Sequence, residues 1–169
     1  MGAYFGQTSQ FQPAVIHDGR DHYHMLFVSQ DSSNRLLWIT SKDGQNWTGP
    51  SGDTHQTTHS APAIALYPAV EGTNPNLLVA ILIANDPSNR ILYSTLDLDE
   101  FYEDLNSNPP RNFAGWVSQP QVGTESAHAV YAWSVPGSPA RVNLYFLAND
   151  NTGRLLQQSF NPVTGETFE

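Results

Sequence analysis

Hydrophobic and polar positions alternate along this chain in short runs. Segments of four to ten residues rich in Val, Ile, Leu, Tyr, Phe and Trp are bounded by clusters of Asn, Asp, Gly, Pro and Ser, the pattern of short β-strands joined by turns. Helical periodicity is scarce. One window, Leu98 to Leu105 (LDEFYEDL), predicts a helix, and Pro109-Pro110 stops it soon after. The pattern therefore predicts an all-β chain.

The strand pattern repeats. Asp31-Ser-Ser-Asn-Arg35-Leu-Leu-Trp38 returns as Asp86-Pro-Ser-Asn-Arg90-Ile-Leu-Tyr93 and again as Asp150-Asn-Thr-Gly-Arg154-Leu-Leu-Gln157. An apolar run precedes each copy (His24–Val28, Leu77–Ala84, Val142–Ala148) and another follows it (Leu36–Thr40, Ile91–Thr95, Leu155–Phe160). Each copy thus predicts a hairpin. Upstream lies a third element in which small residues alternate with branched ones: Gln12–Ile16, Ala61–Ala65 and Ala127–Tyr131. A fourth, aromatic element follows, at Trp47, Trp116 and Phe168. Four strands per unit, in units of roughly 50 to 60 residues, predict four-stranded antiparallel β-propeller blades. The expected blades are approximately 10–50, 58–118 and 124–169, in a single domain. The extra length of the second falls at Leu96 to Asn112.

Three blades are too few for a ring, which typically takes about 4 to 8. An isolated wedge would expose strand edges and a large apolar face, so closure by a second chain is expected, giving a homodimer of six blades. The chain stops at Thr167-Phe168-Glu169, where the third blade's last strand would run, and begins at Gly2-Ala3-Tyr4-Phe5-Gly6, just before the first blade's inner strand. One subunit's end is therefore placed to meet the next one's beginning. A fragment of a longer propeller, or a three-unit barrel or sandwich, are the other readings of the same count.

Composition narrows the partners. Of 169 residues 39% are hydrophobic and 11% aromatic, with only 14% charged, unlike the charge-rich, aromatic-poor composition of disordered chains. Seven basic residues against sixteen acidic ones leave a net charge of −9, which argues against nucleic acid or an anionic membrane surface as partner. Without cysteine there are no disulfides, thiol nucleophiles or thiolate metal sites. The longest apolar run, Leu77 to Ala84, has eight residues against the roughly 20 of a membrane span, and the N-terminus lacks a signal-peptide pattern. A soluble protein is expected, cytoplasmic or secreted without a classical signal peptide, with no membrane insertion.

The repeat brings its own candidate chemistry. Asp31/Arg35, Asp86/Arg90 and Asp150/Arg154 sit four apart across a turn. There Asp can accept backbone N–H bonds while Arg covers the neighbouring strand, a structural role. The same pairs could instead hydrogen-bond sugar hydroxyls, with the residue three beyond each Arg as stacking face: Trp38, Tyr93 and, without a ring, Gln157. The candidate carbohydrate-binding set is thus Asp31, Arg35, Trp38, Asp86, Arg90, Tyr93, Asp150 and Arg154, its third site the weakest. His22-Tyr-His24 on a strand would put both rings on one face, and His55 and His59 are expected in a loop. No histidine spacing guarantees the convergent ligands zinc needs. The acidic strings Asp150-Asn151 and Asp97-Leu-Asp99 match no EF-hand loop. No metal or cofactor is expected.

One string resembles a known family motif. Ser41-Lys42-Asp43-Gly44-Gln45-Asn46-Trp47 resembles the Asp-box of sialidase-type propellers, Ser-x-Asp-x-Gly-x-Thr-Trp, with one residue fewer and Asn in place of Thr. The resemblance implies structural roles: Asp43 caps a turn and Trp47 packs into the blade. Asp99 and Gly165 are at most weak remnants in the other units. Sialidases use an arginine triad, a Tyr nucleophile assisted by Glu, and a catalytic Asp. Here three of the six arginines occupy one repeated position and cannot converge on one pocket, and the carboxylates offer no facing pair. The hairpins, LYFLANDNTGRLLQQSF above all, resemble blades of fungal fucose-lectin-type propellers, and the Asp-box-like turn resembles those of mushroom N-acetylglucosamine-binding propeller lectins. The likeness spans roughly residues 10–169. It implies a multivalent glycan-binding protein without catalysis, and few-blade chains that assemble. No Glu follows Arg35, Arg90 or Arg154 on the third strand, so the fucose lectins' Arg–Glu–Trp site is not reproduced and the sugar is not transferred. The alternatives are a glycosidase-type propeller enzyme, or its inactive relative, and a propeller scaffold for protein binding.

Overall fold

Each repeated unit folds into one four-stranded antiparallel sheet whose strands lie side by side in chain order. The computed structural model describes residues 8–49, 51–68, 76–106, 111–119, 127–135, 141–148 and 150–168. The N-terminal string through Gly6, the Pro109-Pro110 stop and Glu169 lie outside the described residues. The first sheet holds β1 (Ala14–His17), β2 (Tyr23–Val28), β3 (Arg35–Ser41) and β4 (Ser51–Thr57). The second holds β5 (Ala63–Tyr67), β6 (Leu77–Ile83), β7 (Ile91–Asp97) and β8 (Ala114–Ser118), and the third β9 (Ala127–Val135), β10 (Arg141–Ala148), β11 (Leu155–Phe160) and β12 (Thr167–Phe168). No helix among the described residues is long and apolar enough to cross a membrane.

The repeat is geometrical as well as textual. Val28 pairs with Leu36, Ile83 with Ile91 and Leu147 with Leu155. Just beyond, Ser29, Ala84 and Ala148 donate their N–H to the carbonyls of Arg35, Arg90 and Arg154 at 2.9, 2.8 and 2.9 Å. The residue before each Arg takes positive φ: Asn34 (52°), Asn89 (48°) and Gly153 (66°). Asn and Gly are the residues that enter this left-handed region at least cost.

The second sheet is the centre of the molecule. All seven residues of β6 are buried, as a continuous apolar run allows when both faces of a strand are covered. Leu77, Val79, Ile81 and Ile83 share a core with Val142, Leu144, Phe146 and Phe160 of the third sheet. Leu78, Ala80 and Leu82 share another with Leu26, Val28, Leu36 and Trp38 of the first. The sheets therefore stack face to face in chain order. Their first strands, β1, β5 and β9, lie next to one another and line a cleft of about 520 Å³.

Two expected elements differ. The fourth strand of the first unit is Ser51–Thr57, not the segment carrying Trp47, so the first sheet runs past residue 50. Trp47 is half-buried in the preceding turn. Strand β4 is polar (SGDTHQT) and bulged between its pairings with Arg35 and Leu37, and this hides it from a search for apolar runs. His55, expected in a loop, belongs to this strand and holds the bulge with a φ of 58°. The inserted helix α1 (Leu98–Glu103) sits where the second unit's extra length falls. Asp97 caps its N-terminus by accepting N–H bonds from Asp99 and Glu100, and Leu98 and Phe101 are buried.

The end faces of the stack break the equivalence. Leu36 and Ile91 are 0% exposed in the two cores, whereas Leu155, at the same register position, is 68% exposed. Leu147 is likewise exposed, although its equivalents Val28 and Ile83 are buried. On the opposite end face, Leu37 is half-buried, while its equivalents Leu92 and Leu156 pack against the two cores.

Candidate functional site

The three Asp/Arg pairs form the same closed motif at three hairpin tips. Asp31 accepts the Ser33 N–H at 3.0 Å and the Ser33 hydroxyl, and Arg35 Nε donates back to that hydroxyl at 3.0 Å. Asp86 accepts the Ser88 N–H at 2.8 Å while Arg90 donates through Nε to Ser88 Oγ at 2.9 Å and through Nη2 to Asp86 at 3.1 Å. Asp150 accepts the Thr152 N–H at 3.0 Å, and Arg154 Nε donates to Thr152 Oγ1 at 3.2 Å and to Asp150 at 3.1 Å. The hydroxyl position between Asp and Arg is what locks the motif. Hydrogen bonds from Ser33, then Ser29, hold the Asp31 carboxyl down at about 2. The Ser88 hydroxyl, then Arg90, lowers Asp86, and the Thr152 hydroxyl, then Arg154, lowers Asp150. Arg35 also reaches Asp53 of β4 at 3.0 Å.

The expected stacking faces are not beside these pairs. Trp38 is 1% exposed and Tyr93 5% exposed. Trp38 lies in the core between the first and second sheets, and Tyr93 packs on Phe160 with ring centroids 4.8 Å apart. Strand alternation explains this: the third residue after each Arg falls on the face that packs against the next sheet. Gln157 is the exposed one because no described sheet follows the third. Six of the eight candidates, the Asp/Arg pairs, are therefore at the surface, and the two aromatic ones are withdrawn into the cores.

The polar turns between the third and fourth strands are also equivalent. Asp43 accepts the N–H groups of Gln45 and Asn46 at 2.8 and 2.7 Å, Asp97 caps α1, and Asn161 accepts from Val163 at 2.8 Å and Thr164 at 3.3 Å. The backbone N–H groups of Asn46 and Gln45 hold Asp43 well below the usual carboxylate range. The capping residue of the second unit is thus Asp97 rather than Asp99.

A second constellation joins the first sheet to α1. His22 and His24 share a face of the β2 segment and are both buried, with the carboxylate of Asp18 beside them. His24 Nε2 is 3.1 Å from Asp18 Oδ2, and its Nδ1 receives the Trp38 indole N–H at 3.3 Å. That donor requires an unprotonated Nδ1, so His24 is neutral and gives its Nε2–H to Asp18. The His24 and Trp38 rings stack at 14° with centroids 5.9 Å apart. The Tyr102 hydroxyl of the helix donates to Asp18 Oδ2 at 2.7 Å. Backbone N–H groups of Arg20 and His22 reach Asp18 Oδ1 at 2.8 and 3.2 Å. Burial alone would raise Asp18; the hydrogen bonds from His24, Tyr102 and the backbone outweigh it and hold the carboxyl far below its usual range. Burial lowers His22 and His24, against the opposing pull of Asp18.

Sequence reasoning placed the two histidines on one face but missed Asp18 and Tyr102. The separation in sequence is more than eighty residues, so no local pattern links them. Among the described residues no group of three or more His, Asp or Glu side chains is placed to hold a metal ion. Comparison with family models, with characterised proteins and with solved structures finds no match.

Proposed function

We propose that this chain is a multivalent carbohydrate-binding protein without catalysis. Its three sheets are consecutive blades of a propeller, and a second copy completes the ring at six. The observation that supports the ring is the broken equivalence at the end faces. Leu155 and Leu147 are exposed where the corresponding residues of the other sheets are core, and an exposed apolar face of this kind marks an interaction surface. The opposite end offers Val15, Met25, Leu37 and Ile39 on one face of the first sheet, apolar side chains of the type that face Leu155's equivalents inside the stack. Third sheet on first sheet, applied twice about a twofold axis, closes the circle.

Glycan binding is the use that suits such a ring. The hairpin tips repeat one polar surface, and weak contacts repeated on a rigid frame gain through avidity. With Trp38 and Tyr93 in the cores, the six Asp and Arg residues at the tips would supply hydroxyl contacts without ring stacking. The test combines light scattering, a glycan array and cell agglutination on the full chain. The reading expects a dimer that agglutinates cells and gives defined glycan hits. A monomer with a blank array would end it, and turnover of a chromogenic glycoside would transfer the protein to the enzyme class.

A further inference from the structure

We propose that the cleft between the β3–β4 turn and the C-terminal end of α1 is a pocket for one neutral pyranose ring, received on the lone pair of His22 Nε2. This rests on the glycan-binding reading above and gives it a site that the repeat does not reveal.

The cleft has a volume of about 300 Å³, and its walls include His22, Lys42, Asp43, Asn46, Leu105 and Asn106. That volume is at the small end of ligand pockets, the scale of a single sugar ring. Of its walls, His22 is 2% exposed. The buried network decides which nitrogen of that ring carries the proton. Tyr102 has one hydroxyl hydrogen and gives it to Asp18. The Tyr102 oxygen is 3.0 Å from His22 Nδ1 and must therefore accept from it, as it also accepts the Asp21 N–H at 3.0 Å. Nδ1 is the protonated nitrogen, and Nε2 keeps an unshared pair. No described residue donates to Nε2. Burial lowers the His22 pKa from its ordinary value against the pull of Asp18, and so favours the neutral imidazole. A ligand hydroxyl in the cleft can donate to that pair.

The other walls extend the same demand. Asn46 gives one amide N–H to Asp43 Oδ2 at 2.6 Å, leaving its second N–H as a donor and its carbonyl oxygen as an acceptor. The Asp43 carboxylate adds negative charge. Lys42 is the only lysine of the chain, and among the described residues no carboxylate forms an ion pair with it. The acceptors, together with the Lys42 ammonium and the amide N–H groups as donors, match the vicinal hydroxyls and ring oxygen of a neutral sugar, with Leu105 against its C–H face. An acidic sugar would set its carboxylate against Asp43 and the His22 lone pair.

The test titrates methyl glycosides of neutral hexoses, and separately of uronic acids, into the isotopically labelled full chain and follows its NMR spectrum. A neutral hexoside should perturb the amides of residues 42–46 and 105–106 and move the His22 Nε2 resonance away from the position of a free unprotonated nitrogen. Lys42→Ala and Asn106→Ala, both at exposed positions outside the buried network, should each weaken binding about tenfold. Neutral hexosides that bind while these signals stay still overturn the pocket and leave the glycan reading standing. Preference for uronic acids at these residues overturns the ligand class. No response to any glycoside, with a blank glycan array, removes both.

Discussion

Asp18 is a buried carboxylate that accepts four hydrogen bonds. The donors are His24, Tyr102 and two backbone N–H groups, and a buried donor left without its acceptor costs its desolvation penalty. Asp18→Asn cannot accept all four donors and should lower stability by about 2 to 6 kcal/mol in urea denaturation, since two buried donors lose their acceptor. Tyr102→Phe should lower it by about 1 to 2 kcal/mol, since it leaves the His22 Nδ1–H without its acceptor. The same residues set a pH response. His22 and His24 have folded pKa values below 6.5, so between those values and 6.5 the unfolded chain binds more protons. Their contribution is complete above 6.5 and declines as pH falls, at no more than about 1.4 kcal/mol per pH unit for each histidine. Asp18 is also lowered, from 3.8, so its contribution is held above 3.8 and lost on further acidification. The urea midpoint should drop from neutral pH towards pH 5; a flat profile would contradict the neutral, locked state of His24.

At the scale of the element, the hairpin tips are stabilised by their own turn chemistry. Asn34 and Asn89 hold the left-handed position that the third unit gives to Gly153. Asn34→Gly should therefore be nearly neutral, whereas Asn34→Ala should cost about 1 kcal/mol; equal midpoints for the two variants would refute the turn argument. The ion pairs contribute less, because both partners are at the surface and screened. Asp86→Asn keeps an acceptor for the Ser88 N–H and should leave the midpoint almost unchanged in high salt. Asp97→Ala removes the cap of α1 and should cost about 1 kcal/mol. The hairpins were legible in the sequence because a turn motif and its two flanking strands are adjacent. Strand β4 was not, because a polar bulged strand pairs through its backbone and leaves no side-chain period.

At the scale of the molecule, stability and assembly should separate. Ile81 lies at the centre of the sheet covered on both faces and is fully buried. Ile81→Ala should cost about 2 to 5 kcal/mol in chemical denaturation. Leu155→Lys places a charge on the open face of the third sheet, where the chain itself buries little. It should leave the urea midpoint of the single chain nearly unaltered and, under the proposed closure by a second copy, abolish self-association in light scattering. Loss of folding in that variant, or an undiminished dimer, would show that this face is not the contact.

What the sequence determined alone was the module: three copies of a turn with an Asp, a hydroxyl residue or its equivalent, a left-handed residue and an Arg, each between two apolar runs. Those features are local, and local backbone geometry follows from adjacent residues. The tertiary structure decided which face of each strand meets a neighbour. It moved Trp38 and Tyr93 from supposed surface platforms into the cores, because strand alternation and sheet stacking together select the buried side. It also brought Asp18 and Tyr102 together across a separation that no sequence period spans. The charge state of a histidine and the accessibility of an aromatic ring depend on contacts of that kind, so neither could be read from the order of residues.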